Sequence, residues 1–183
     1  MGAGETFVTL HCASWYSDRV QVVEVETKIG QEISSGNLDK FAPASFDIIT
    51  LWHVLEHIHD LNGVMTKLST LLKPEGKLII AVPNSDSFDA QMYKEYWAAY
   101  DVPRHLYHFN QATMKRLLKK HKFELIECAP MKFDSYYVSM LSEKYKQGKQ
   151  NLAKSVINGL KSNLHAMRNC NDYSSVIYIS QHR

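Results

Sequence analysis

Two short stretches of this chain of 183 residues carry side chains spaced for acid–base chemistry. His53-Val54-Leu55-Glu56-His57 holds two histidines around a glutamate, and Arg104-His105-Leu106-Tyr107-His108 holds two more beside an arginine. Imidazole is the natural general base near neutral pH, because its unperturbed pKa is about 6.5. An arginine fork beside it can bind an anionic group through paired N–H donors. The plainer readings are hydrogen-bonded histidines in loops and a salt bridge from Arg104 to Asp101 or Glu56. The first stretch also spells His-x-x-Glu-His, an inverted zinc-protease pattern. That chemistry needs both histidines on one helical turn, a third ligand and an open position. Here the motif follows an apolar, strand-like run, and no downstream acid stands out as the third ligand. No metal is expected.

The elements that must position these side chains alternate between two periods. Val20-Gln21-Val22-Val23-Glu24-Val25 is short and β-branched, which predicts a strand. Phe46-Asp47-Ile48-Ile49-Thr50-Leu51-Trp52 is nearly continuous in apolar residues, as in a strand buried on both faces. Leu61, Val64, Met65, Leu68, Leu71 and Leu72 recur at helical spacing, with Asp60 as the cap. Lys73-Pro74-Glu75-Gly76 stops that helix, and Lys77 to Val82 is the next buried strand, closed by Pro83-Asn84. Residues 85–109 are aromatic and irregular. Tyr93, Tyr96, Trp97 and Tyr100 could wall a pocket or pack as core. Asn110 caps a helix to about His121. A strand follows from Phe123 to Cys128, then a helical region over 134–168 broken near Gly148, then a strand over 173–180. Alternating strands and helices predict one α/β domain over residues 1–183, a doubly wound sheet with helices on both faces. Ligands in such folds sit beyond the carboxyl ends of the strands. That rule marks residues 2–6, Glu24, residues 52–57 and residues 83–87.

Composition narrows the function. Hydrophobic residues are 45% and charged residues 22%, which excludes a disordered chain. No apolar run reaches the roughly 18 residues of a membrane span. The N-terminus lacks a basic n-region and an apolar h-region, so no secretory signal is expected. Cys12, Cys128 and Cys170 are too few and scattered for a disulfide framework, so a cytoplasmic setting is expected. The net charge of +2 hides an asymmetry. Residues 1–100 carry 7 basic and 13 acidic residues, against 14 and 6 in residues 101–183. Lys115, Arg116, Lys119, Lys120 and Lys122 alternate with Met114, Leu117 and Leu118, as on the solvated face of a helix. Nucleic-acid binding is therefore not expected.

Taken together, the stretch from Phe46 to His57, the run from Leu72 to Asn84 and the segment Asp101-Val102-Pro103-Arg104-His105-Leu106-Tyr107-His108-Phe109 resemble a class I S-adenosylmethionine-dependent methyltransferase. The group is the broad one that includes ubiquinone-pathway-like enzymes. The resemblance is specific over residues 46–110, covers most of residues 1–130 and is loose beyond. It implies a Rossmann-like, mostly parallel sheet with an antiparallel last strand, and a helical insertion over about 134–168. It also implies S-adenosylmethionine as cofactor and S-adenosylhomocysteine as product. Gly2-Ala3-Gly4-Glu5-Thr6 then resembles the cofactor loop, with Thr6 where the family has a third glycine. The 22 residues from Gly2 to Glu24 approach the roughly 20 expected before a ribose-binding acid. Glu26 is the fallback. Asn37 and Leu38 stand where the family contacts adenine, and Trp52 and His53 lie at the end of the fourth-strand motif. Because the loop begins at residue 2, the family's central first strand is expected to be absent, as in a truncated chain, unless another segment fills the gap. An unpaired edge there would favour self-association.

The resemblance implies methyl transfer to a small-molecule acceptor, on oxygen or carbon, with His57, Arg104, His105 and His108 on the acceptor side. Methyl transfer from a sulfonium mostly needs alignment, and a base helps where the acceptor is a hydroxyl or an acidic carbon. No Asn/Asp-Pro-Pro-Tyr/Phe motif follows the fourth strand, which disfavours methylation of base amino groups; an RNA ribose or ring target stays open. The other alternative is an inactive methyltransferase fold that serves as a binding module.

Overall fold

A computed structural model describes residues 7–11, 35–169 and 172–183. In chain order the elements are β1 (Phe7–His11), β2 (Phe46–Trp52), α1 (Leu61–Leu71), β3 (Leu72–Pro83) and α2 (Phe88–Tyr93), then α3 (Gln111–Lys120), β4 (Phe123–Pro130), α4 (Asp134–Gln147), α5 (Leu152–Arg168) and β5 (Ser175–His182). The described strands form one sheet in the order β1-β2-β3-β5-β4. β1, β2 and β3 run parallel, and β5 runs antiparallel to both its neighbours. This is the open, mostly parallel sheet with an antiparallel last strand that the sequence predicts. The expected strand at residues 20–25 lies outside the described residues. Conversely, Phe7–His11 is a strand the sequence pattern did not announce. It pairs along β2, from Phe7 opposite Ile48 to His11 opposite Trp52.

Local chemistry explains the element boundaries. The Asp60 carboxylate accepts from Gly63 N (2.9 Å) and starts α1, whose Leu61, Met65, Leu68 and Leu71 are buried. The helix passes straight into β3. Phe46 pairs with Leu72 and Ile48 with Lys77, five steps against two, so three residues of the 73–76 turn are accommodated inside the strand. Lys73 Nζ anchors that turn on Asp47 Oδ2 (2.7 Å). At α3, Asn110 Oδ1 accepts from Thr113 N (2.8 Å) and Asn110 N donates to Thr113 Oγ1 (2.9 Å), a reciprocal capping box. Gly148 ends α4 at φ +72°, a left-handed conformation a residue with a Cβ adopts only at a cost.

Two apolar clusters hold the fold. The larger joins β2, β3 and β5 to α1 and α3, around Phe46, Leu51, Leu78, Ile80, Met114 and Tyr178. The smaller gathers Tyr93, Trp97, Ala98 and Ala99 against Val138 of α4. Two buried acids at its edge are hydrogen-bonded. Asp89 is fully buried and accepts from Trp97 Nε1 (2.9 Å), Ser162 Oγ (2.7 Å) and Ser174 Oγ (2.7 Å). Glu143, also buried, accepts from Tyr93 OH (3.1 Å) and Asn158 Nδ2 (3.1 Å) and pairs with Lys154 (3.0 Å). Tyr93 and Trp97 are thus core residues rather than pocket walls.

Candidate functional site

The carboxyl ends of β2 and β3, the start of α4 and the start of β5 converge on one pocket of about 520 Å³, its mouth included. Three chain segments meet there: residues 53–57 after β2, residues 98–105, and Asp134 with Tyr137 at the start of α4. Backbone bonds lock the first two together. Leu106 N donates to Glu56 O (2.8 Å), so His105 faces the 53–57 turn from across the chain.

His53 sits at φ +53°, unusual for a residue with a Cβ, and its N–H donates to Ala81 O (2.9 Å). This turns its ring between two carboxylates. Nδ1 lies 3.4 Å from Glu56 Oε1, and Nε2 lies 3.1 Å from Asp134 Oδ2. Burial alone would lower the pKa of His53, but the bonds to Asp134 and Glu56 outweigh it and push the value up to about 10. At neutral pH it is an imidazolium bridging two anions. Asp134, buried against that cation, is held below the usual carboxylate range.

His105 is the opposite case. Its Nδ1 lies 2.8 Å from Ala99 O. A carbonyl only accepts, so Nδ1 carries the proton and Nε2 the lone pair. Nε2 lies 4.0 Å from Glu56 Oε1 and 3.9 Å from Asp101 Oδ2. Burial lowers the pKa of His105, against the opposing pull of Glu56, so the ring is neutral at pH 7. The His57 ring meets it edge to face at 4.6 Å, with Nδ1 3.1 Å from Arg104 O. Glu56 is 1% exposed, and the cation beside it among the described residues is His53, 3.4 Å from its Oε1.

Of the residues expected from sequence, His53, His57 and His105 meet in this pocket. Arg104 and His108 do not line it. The Arg104 guanidinium pairs with Asp101, and His108 Nε2 lies 2.9 Å from Tyr100 O. Trp52 Nε1 donates to Thr50 Oγ1 (3.1 Å). Leu38 is buried in the larger core cluster, and Asn37 lies in the short turn Ser35–Lys40 that precedes β2. Gly2, Gly4 and Glu24 lie outside the described residues. Sequence reasoning missed Asp101 and Asp134 as pocket residues. The antiparallel last strand was a usable signal, since it brings the start of α4 and the start of β5 to the mouth where β2 and β3 end. Asn84, within the marked stretch 83–87, does not line the pocket. It is buried where β3 ends and ties it to the approach to β5 by donating to Tyr173 O (3.2 Å).

Glu56, His57 and His105 offer one ligand atom each within 4.8 Å of one another. A cation there would stand beside the His53 imidazolium, which already supplies the counter-charge of Glu56. Acid–base chemistry is the use this arrangement fits better.

A family model described as a methyltransferase domain matches residues 9–128. The chain belongs to this methyltransferase-domain family. An uncharacterised methyltransferase of Schizosaccharomyces pombe is 35% identical over 72 residues, 38% of this chain and 25% of that protein. An S-adenosylmethionine-dependent methyltransferase of Thermotoga maritima shares the fold, with a TM-score of 0.51 at 14% identity over 82% of this chain and 62% of that one. Phosphoethanolamine N-methyltransferase 2 of Haemonchus contortus, solved with S-adenosylhomocysteine, gives 0.45 at 22% identity over 78% of this chain and 35% of that one. The methyltransferase domain here therefore spans only a fraction of the length of these relatives.

Proposed function

We propose that this domain transfers a methyl group from S-adenosylmethionine to an oxygen or carbon of a small-molecule acceptor, with His105 as the general base. The observation that carries the reading is the setting of His105. Its Nδ1–H is fixed on a backbone carbonyl, its Nε2 lone pair points into the pocket, and two carboxylates stand about 4 Å away.

Bound S-adenosylmethionine supplies an electrophilic methyl group on a sulfonium, open to in-line displacement. The pocket lining carries Glu56, Asp101 and Asp134 against the His53 imidazolium and the Arg104 paired with Asp101, a net negative wall that would suit a sulfonium cation. By resemblance, Gly2, Gly4, Glu24, Asn37, Leu38, Trp52 and His53 lie on the cofactor side. On the acceptor side, His105 Nε2 takes the proton from an acceptor hydroxyl or acidic C–H as the new bond to carbon forms. The imidazolium that results faces Glu56 and Asp101, which stabilise it. His57 packs against the His105 ring and holds its orientation. Arg104 contributes through its carbonyl, which fixes His57, rather than through its guanidinium.

Calorimetric titration with S-adenosylhomocysteine tests the cofactor half, and micromolar binding is expected. Absence of binding would overturn the cofactor assignment and favour an inactive binding module. Release of S-adenosylhomocysteine with a panel of phenols and enols then reads the acceptor class.

A further inference from the structure

α5 is built inside out. Its inward face carries only small or polar residues: Ser155, Asn158, Gly159, Ser162, Asn163 and Ala166 are buried. Gly159 lets the helix lie against α4, since a Cβ there would stand 2.9 Å from Tyr136 Cα. The large apolar residues face outward. Leu152, Val156, Ile157, Leu160, Leu164 and Met167 are between 45% and 65% exposed. At 100° per residue they fill one arc of the helix, and Lys154, Lys161 and Arg168, spaced by seven, form a cationic stripe along its border. Asn163 Nδ2 donates to Lys132 O (2.9 Å), which places Phe133, 87% exposed, beside the helix.

Charge selects the occupant. From Lys144 to Asn169 there is no acidic residue, while Lys144, Lys146 and Lys149 add to the three cations of the helix. No described helix is long and apolar enough to cross a membrane. An apolar arc edged by cations on a helix that does not span is the pattern of an interfacial helix. Anionic lipid headgroups are recognised by clustered cations of this kind, beside an apolar face that the acyl boundary can bury.

We infer that the outer face of α5 docks on an anionic lipid surface, with the helix axis in the plane of the interface. Nothing in this inference depends on the proposed reaction. α4 lies between that surface and the pocket, since Tyr137 and Val138 of α4 line the pocket while Tyr136 packs on α5. The opening therefore lies one helix layer from the lipid, a place suited to an acceptor of amphiphilic chemistry.

Co-sedimentation with vesicles tests the inference directly. The chain should pellet with phosphatidylglycerol–phosphatidylcholine vesicles and stay in solution with phosphatidylcholine alone, and binding should weaken as salt is raised. Lys161→Gln with Arg168→Gln should weaken binding by at least about tenfold, at roughly a fivefold loss per cation. Leu160→Ser with Leu164→Ser should abolish it, with circular dichroism and the thermal midpoint unchanged because both side chains are half exposed. Failure of the wild-type chain to pellet with anionic vesicles overturns the inference. So does binding that survives both double variants. A third overturning result is a wild-type dimer in light scattering that Leu160→Glu disperses and that ignores vesicles, since the occupant is then a second copy of the chain.

Discussion

Removing the His53 imidazolium gives a quantitative test of the site's electrostatics. His53 is raised from 6.5 to about 10 by Asp134 and Glu56, against the opposing effect of burial. At about 1.4 kcal/mol per pH unit, that difference sets a ceiling of about 5 kcal/mol on the stability tied to its charge. The side chain is 23% exposed, and its partners must be desolvated in either protonation state, so about 2–3 kcal/mol is the working expectation. The sign follows from the raised pKa. The stabilisation is fully present below pH 6.5, declines as the pH rises above it, and is lost as the pH passes through about 10. His53→Asn is the comparison of choice, because asparagine tolerates the left-handed backbone this position requires. Urea unfolding of both proteins from pH 6 to pH 10.5 isolates the effect, since groups common to both cancel in the difference. The wild-type advantage should shrink by about 2–3 kcal/mol across that interval. A difference that stays flat across it would refute the bridging imidazolium.

Four further expectations concern the pocket and its support. His105→Ala should lower turnover by roughly 10²- to 10⁴-fold while leaving S-adenosylhomocysteine affinity within about twofold, the range for losing a general base; a loss of affinity with turnover intact would contradict the role. Because burial lowers the His105 pKa, the wild-type rate should fall with acid only below about pH 6.5, and a fall already beginning above pH 7 would point to another base. A chelator should leave turnover unchanged, whereas loss under chelation and recovery with Zn²⁺ would recast Glu56, His57 and His105 as ligands. Gly159→Leu should lower stability by about 1–3 kcal/mol, read as a drop in the thermal midpoint, since its Cβ would meet Tyr136 backbone atoms at 2.9 and 3.0 Å; an unchanged midpoint would show that α4 and α5 do not pack this closely.

What the sequence made legible was local. The apolar run of β2, the Asp60 cap and the Asn110 cap each depend on residues a few positions apart, and each is found where the pattern predicts it. Phe7–His11 carries no flanking signal that separates a strand from a loop, and its strand character depends on pairing with β2, far along the chain. The aromatic run over 93–100 was ambiguous for a similar reason. Whether Trp97 lines a pocket or fills a core is decided by Asp89 and Val138, not by its own spacing. The histidines were recognisable as chemistry-bearing, but their division of labour was not. His53 and His57 belong to one motif. The first sits between two carboxylates and the second turns its Nδ1 to a backbone carbonyl, because Asp134 and Arg104 arrive from elsewhere in the fold.

The buried carboxylate of Asp89 has a consequence for timing. It ties together Trp97, Ser162 of α5 and Ser174 at the approach to β5. Lifting α5 would take the Ser162 donor from this buried carboxylate, whose other donors, Trp97 and Ser174, sit outside the helix, so α5 should open most readily together with the approach to the last strand. Amides of α5 and β5 should then exchange with solvent in one concerted event, far slower than turnover. The 98–105 side of the pocket mouth is thereby tied, through Trp97, to the same buried carboxylate as the last strand.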